Sequence, residues 1–229
     1  VTSFSEVTEK RIDPYYHQNY FINAFNALEN SKYTIDTLKN ISKKITSGIT
    51  PLSGGDSYTN EFDGIPFIRS GNIDINGELN FGDLLYIKPE VHNTTMKSSQ
   101  VEYGDLMIAI VGATIGQVGV YLYERPANIN QAIALVRLNQ EIDFQYIKEL
   151  IKSSIGQLSL ARLKRPVARA NINLEEIATI KVILPPIAKQ IEIASYIANL
   201  RQQAKQLYLE GEQSIGKARL EIEQLILGE

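Results

Sequence analysis

With 229 residues, 44% of them hydrophobic and 21% charged, the chain can bury one medium-sized core and is too apolar for disorder. A net charge of −3 excludes a protein that coats nucleic acid by bulk electrostatics, so any such contact must come from local patches. Zero cysteines exclude disulfides and thiolate metal sites, and the two histidines, His17 and His92, are too few and too far apart in sequence for an imidazole-based centre.

Arg11 to Tyr33 is a polar and aromatic entry segment whose rings, Tyr15, Tyr16, Tyr20 and Phe21, are expected in the core. Tyr33 to Ile35 predicts a short strand, and Asp36 or Thr37 an N-cap for a short helix over Leu38 to Ile45, with apolar Leu38, Ile41 and Ile45. Ser47 to Asp56 is rich in turn formers but lacks the Gly-Lys-Ser/Thr ending that would place an ammonium and a magnesium ligand on nucleotide phosphates. Strands are predicted at Ile65 to Arg69, Leu84 to Ile87 and Leu106 to Val111, with a turn at Asn76-Gly77. The glycines of Gly112 to Gly119 fall at spacings of four and three and lead into strand-like residues, which predicts a β-hairpin and not a dinucleotide loop. Ala127 to Leu138 predicts one strand or a strand pair, and Phe144 to Leu163 a helix interrupted near Gly156.

After Leu184-Pro185-Pro186 the pattern changes to an unbroken amphipathic segment of about forty residues, roughly 60 Å long as a helix. Its apolar positions Ile193, Ile197, Leu200, Ala204, Leu207, Gly211, Ile215, Ala218, Ile222 and Leu225 are separated by steps of 4-3-4-3-4-4-3-4-3, a coiled-coil seam with one stutter at Gly211. The predicted fold is α+β: a curved, barrel-like β-sheet domain with short helices over residues 1–184, then a long coiled-coil helix over 185–229. No run approaches the ~18 apolar residues of a membrane span, and Val1-Thr2-Ser3-Phe4-Ser5 lacks the regions of a signal peptide. No membrane partner is expected, the cytoplasm is the expected location, and the missing initiator Met suggests a processed, trimmed or excised segment.

Between Lys148 and Arg169 six cations, Lys148, Lys152, Arg162, Lys164, Arg165 and Arg169, face one acid, Glu149. Such a patch suits phosphates, and equally suits a solvated helix end. No catalytic or metal-binding set assembles. Pro185-Pro186 is preceded by Leu184 and followed by Ile187, so the amide that an amino-methyltransferase uses to hold its target is absent. Neither the Asp and Glu-x-Lys of a metal nuclease nor a Gly-x-Ser-x-Gly elbow is found.

Six short segments occur in a familiar order: Ser47-Gly48-Ile49-Thr50-Pro51, Ile65 to Ile73, Gly104 to Ala109, Val111 to Gly116, Asn130-Gln131-Ala132-Ile133, and Leu184-Pro185-Pro186-Ile187-Ala188-Lys189-Gln190. Over about Tyr33 to Leu227 this resembles one target recognition domain and the following helix of the specificity subunit of type I restriction-modification systems. The resemblance implies a non-catalytic reader of double-stranded DNA that directs adenine methyltransferase subunits, and through them a restriction subunit, to one half of a split target. S-adenosylmethionine, magnesium and ATP would belong to those partners, with no cofactor on this chain. A full subunit of the family carries two recognition domains separated by two antiparallel helices. The chain is therefore expected to be a half-length subunit pairing with itself, half of a longer subunit, or the recognition end of a fused methyltransferase-nuclease.

Under this reading Arg69, Lys97, Thr114 and Gln117 are candidate base readers, and Arg162, Lys164, Arg165 and Arg169 candidate phosphate contacts. Ile193, Ile197, Leu200, Ala204, Leu207, Ile215, Ala218, Ile222 and Leu225 form the expected dimer or subunit seam. The competing expectation is a protein–protein adaptor that dimerises through the same helix.

Overall fold

A computed structural model describes residues 15–52, 55–164 and 170–228. Helix α1, Asn19–Glu29, buries Phe21 and Leu28 and lies against a later helix, so the aromatic entry segment does enter the core. Strand β1, Thr34–Thr37, pairs antiparallel with β11, Lys181–Leu184, tying the start of the described body to its end.

The predicted helix over Leu38 to Ile45 is replaced by a turn and a strand, β2, Ser42–Ser47. Asp36 caps that turn, its Oδ1 accepting from the Thr37 amide at 2.7 Å and the Asn40 side chain at 2.7 Å. Leu38 and Ile41 are buried as predicted, but non-local bonds decide the backbone. The Leu38 amide donates to Ile180 O at 2.9 Å, and β2 pairs antiparallel with β10, Ile133–Leu138. Sheet pairing overrides a weak helical spacing.

Two larger sheets form the body. One has the order β2-β10-β7-β8, with β7 at Leu106–Ala109 and β8 at Val118–Val120. β7 and β8 pair antiparallel around the glycine-rich connection, the predicted hairpin. The other has the order β3-β5-β4-β9-β6: β3 is Tyr58–Thr59, β4 Ile65–Ile68, β5 Leu85–Ile87, β6 Gln100–Val101 and β9 Ala127–Ile129. Within it β4 and β9 run parallel. Ala127 to Leu138 thus supplies two strands to two different sheets. The α+β class is as expected, and among the described residues neither sheet closes on itself, so the body is built of open sheets without a closed barrel.

Alternation along β10 explains how the body packs. Ala134, Val136 and Leu138 join Leu106 and Ile108 in the core beneath the helices. Ile133 and Leu135 join Met107, Ile68 and Ile129 in the core between the sheets. With both faces buried, β7 reads as a continuous apolar run, and β10 is interrupted by Arg137, which pairs with Asp105 and Glu102.

Helix α2, Pro89–Asn93, begins with proline at its first position, where a missing N–H is tolerated. Helix α3, Phe144–Lys152, is capped by Asp143, whose side chain accepts from the Tyr146 amide at 2.6 Å. Burial pushes the Tyr146 pKa up to about 12, and its hydroxyl donates to Ile183 O at 2.8 Å, joining α3 to β11. The predicted interruption falls at Ser153, which ends α3 and caps α4, Ser154–Leu163. A Cβ on Gly156 would lie 2.3 Å from Leu150 O, so the sharp break needs glycine there. Helix α5, Leu174–Ala178, carries a capping box formed by Asn173 and Glu176.

Helix α6, Ile187–Leu227, runs for 41 residues. Gln190 and Ala194 are buried and Ile193 packs on the body, whereas every residue from Ala198 to Gly228 is exposed.

Candidate nucleic-acid interface

Three of the segments that recur in order along the sequence meet at one junction. The Gly48 amide donates to Asn130 O at 3.2 Å, the Asn130 amide donates to Ile68 O at 3.0 Å, and Thr50 hydrogen-bonds Gln131. A Cβ on Gly48 would sit 1.8 Å from Ile129 O, which leaves room for glycine alone. A fourth segment is tied at Gly112, whose amide donates to Ala170 O at 3.0 Å. These residues hold loops in place; the loops between them carry the exposed side chains.

The last segment forms the joint of the long helix. Gln190 Oε1 accepts from the Asp143 amide at 3.1 Å, and its Nε2 donates to Pro185 O at 2.8 Å. Farther along α6, both terminal nitrogens of Arg201 meet the Glu149 carboxylate, and Lys148 Nζ lies 3.3 Å from the same group. Burial pushes the Glu149 carboxyl up, but the Arg201 hydrogen bonds and the nearby Lys148 charge outweigh it and hold its pKa below the usual value.

Of the candidate base readers, Arg69 follows β4 and donates through Nη2 to Asp83 O at 2.7 Å and Asp83 Oδ2 at 2.9 Å, while its Nε is buried without a partner. Lys97 is exposed on a 3-10 turn, Lys97–Ser99. Lys44, from β2, donates to Ser98 O at 2.8 Å, so a second ammonium is tied to that turn. Thr114 closes its own turn by donating to Val111 O at 3.3 Å. Gln117 lines an open cavity with Ile75, Gly116, Lys152 and Gln157, and its Oε1 is buried there without a partner.

The described cations of the basic run from Lys148 to Arg169 face different partners. Lys148 faces Glu149, and Lys152 Nζ donates to Asn76 O; burial, with the Arg201 charge, lowers the Lys152 pKa. Arg162 turns inward: its Nε donates to Tyr16 O at 2.9 Å and its guanidinium lies 4.0 Å from the Tyr16 ring and 4.9 Å from the Phe25 ring. Lys164 is half-buried at the C-cap of α4, and Arg165 and Arg169 lie outside the described residues. The break at Ser153, which divides α3 from α4, distributes cations that look contiguous in sequence.

The seam candidates divide in two. Ile193 and Ile197 are half-buried near the joint, whereas Leu200, Ala204, Leu207, Ile215, Ala218, Ile222 and Leu225 are exposed, Leu207 at 68% and Leu225 at 79%. Sequence reasoning missed the Glu149–Arg201 lock, because neither residue is marked by a local pattern. It also missed Arg125, which sits exposed against Phe81 and Tyr123. Among the described residues no group of three or more His, Asp or Glu is placed to hold a metal, and no helix is long and apolar enough to cross a membrane.

The fold is similar to that of a chain from a type I R-M system studied for complex assembly and conformational transition, with TM-score 0.57 and 15% identity over 84% of this chain and 46% of that one. It is also similar to the HsdS subunit from Thermoanaerobacter tengcongensis, with TM-score 0.56 and 18% identity over 80% of this chain and 43% of that one. The S subunit of a type I restriction-modification system from M. genitalium gives TM-score 0.51 and 14% identity over 78% and 41%. The chain thus spans less than half the length of each of these. No curated protein sequence matches it. Residues 30–210 match the family described as type I restriction modification DNA specificity domain, and the chain belongs to that family.

Proposed function

We propose that this chain is a DNA-recognition half of a restriction-modification specificity subunit. Its body reads one part of a split target on double-stranded DNA, and α6 sets the distance to a second reader. Catalysis is assigned to partners: adenine methyltransferase subunits that use S-adenosylmethionine, and a restriction subunit with its own magnesium and ATP. The reading places the protein in the cytoplasm, where those partners and their DNA are.

The observation that carries the architectural part is α6. An isolated helix in water is marginal even when its sequence is favourable, and beyond the Arg201–Glu149 contact every described residue of this one is exposed. Its exposed apolar stripe has the period of a helix pair, and the Leu184-Pro185-Pro186 entry with the Gln190 joint gives it a fixed departure from the body. Self-pairing would make a two-fold dimer and a symmetric split site; pairing within a longer parent would make an asymmetric one. Family membership supports the DNA part, and the acidic net charge fits a reader whose tight binding needs its partners to complete the clamp.

Selection from randomised duplexes, by the chain alone and with its methyltransferase partner, tests the proposal. Enrichment of a two-part motif with a fixed gap is expected. Salt-independent binding with no enriched motif would instead favour the adaptor.

A further inference from the structure

The loop after β4 and the loop before β9 meet around Arg125, which the sequence does not mark. Its guanidinium carbon lies 4.8 Å from the Phe81 ring centroid and 5.7 Å from that of Tyr123. Those two rings stack edge to face at 4.8 Å, and Tyr123 in turn leans on buried Tyr121 at 5.4 Å. Tyr121 donates its hydroxyl to Arg125 O at 2.7 Å, so the backbone that carries the arginine is pinned as well as its side chain. Arg125 lies two residues before the buried Ala127–Ile129 strand.

The other arginine bordering the loop that carries Phe81 makes an instructive contrast. Arg69 is engaged by the Asp83 carboxylate and carbonyl, whereas Arg125 makes no carboxylate ion pair among the described residues. Arg125 is exposed and shares one side-chain hydrogen bond with Tyr121, which leaves further N–H donors of the guanidinium for a ligand, and packing over two rings restricts the rotamers that would otherwise be lost on binding. A lysine at this position would have the charge without the planar fork.

We propose that Arg125, held against Phe81 and Tyr123, is a specificity-determining residue that reads a guanine edge in the major groove through paired hydrogen bonds to its O6 and N7 acceptors. The inference rests on the DNA-recognition reading above. The chemistry is that of the common specific contact between an arginine fork and guanine, in which two parallel donors meet two acceptors on one base. Phe81 and Tyr123 are positioning residues, which act by fixing the plane of the fork.

The test uses the full chain and duplexes carrying the motif that the wild type selects from a randomised pool, with each base pair substituted in turn. Arg125→Lys and Arg125→Ala are compared with wild type, and thermal melting is recorded for each. Loss of discrimination of about tenfold to a hundredfold at one G·C position, in both variants, with other positions unchanged, is the expected result. Phe81→Leu, which keeps the arginine but removes a stacking face, should give a smaller loss at the same position. Preferences unchanged at every position in Arg125→Lys would overturn the inference while leaving the DNA-recognition reading intact, and so would a uniform loss across all sequences, the mark of a phosphate contact. A wild-type chain that enriches no motif would overturn the recognition reading itself, and the inference with it. Arg125→Lys keeps the charge on the rings, so the comparison stands even where Arg125→Ala melts early.

Discussion

The buried carboxylate of Glu149 on α3 grips both terminal nitrogens of Arg201 on α6, about four turns from the start of the long helix. Together with Gln190 near the first turn, this gives α6 two points of attachment on the body, and two points fix a direction where one would leave a pivot. Under the proposed function, that direction decides where a second reader would lie.

Removing Arg201 leaves Glu149 buried with Lys148 as its remaining partner. Arg201→Ala should therefore lower stability by about 1–3 kcal/mol in urea unfolding at neutral pH. The Glu149 pKa is depressed in the folded protein, so this contribution is complete above the ordinary carboxylate value of about 4.3 and is lost as pH falls through the lower folded value. The gap between wild type and Arg201→Ala should shrink at strongly acid pH. A gap that is constant with pH would contradict the assignment.

Gly48 and Gly71 both lie in the short segments that carry the resemblance in the sequence, yet the structure separates them. A Cβ on Gly48 would overlap the backbone at Ile129, whereas one on Gly71 would meet nothing within 4 Å. Gly48→Ala should cost about 3 kcal/mol or more, and Gly71→Ala should stay within about 0.5 kcal/mol, measured by denaturant unfolding. Equal effects would show that the junction of Gly48, Asn130 and Ile68 is not the close contact described.

Charges placed in the exposed stripe should act on assembly and leave the fold of the body alone. Leu207→Asp combined with Ile222→Asp should convert a dimer into a monomer in sedimentation equilibrium, with the unfolding of the body unchanged. A wild-type monomer would remove self-pairing and leave the helix to a partner in a longer chain or in another subunit.

Arg162 and Lys97 should separate by the kind of loss they produce. Arg162→Ala should reduce stability by about 1–2 kcal/mol, because its guanidinium serves the Tyr16 carbonyl and two rings. Lys97→Ala should leave stability unchanged and reduce the salt slope of DNA binding by about one phosphate. The opposite pattern would return Arg162 to the phosphate surface.

The elements legible in the sequence are those with local causes. The period of α6, the turn at Asn76-Gly77 and the apolar runs of β7 and β10 depend on neighbours in the chain. The spacing of Leu38, Ile41 and Ile45 fits a helix as well as it fits a buried turn leading into a strand, and only the distant partners Ile180 and β10 decide between them. The two-residue strands β3 and β6 carry too little pattern to be found. The same reason hid part of the candidate site. Composition marks a basic run, but the fold sends Arg162 inward and brings Arg125 to Phe81 from separate loops, and neither outcome has a local signature.

Mapping of methylated adenines in cells that carry the methyltransferase partner, with and without this chain, tests the central claim most directly. The account predicts methylation confined to one split motif, present with the chain and absent without it, whose gap alone changes when a heptad is removed from α6. The same methylated positions with and without the chain would contradict it.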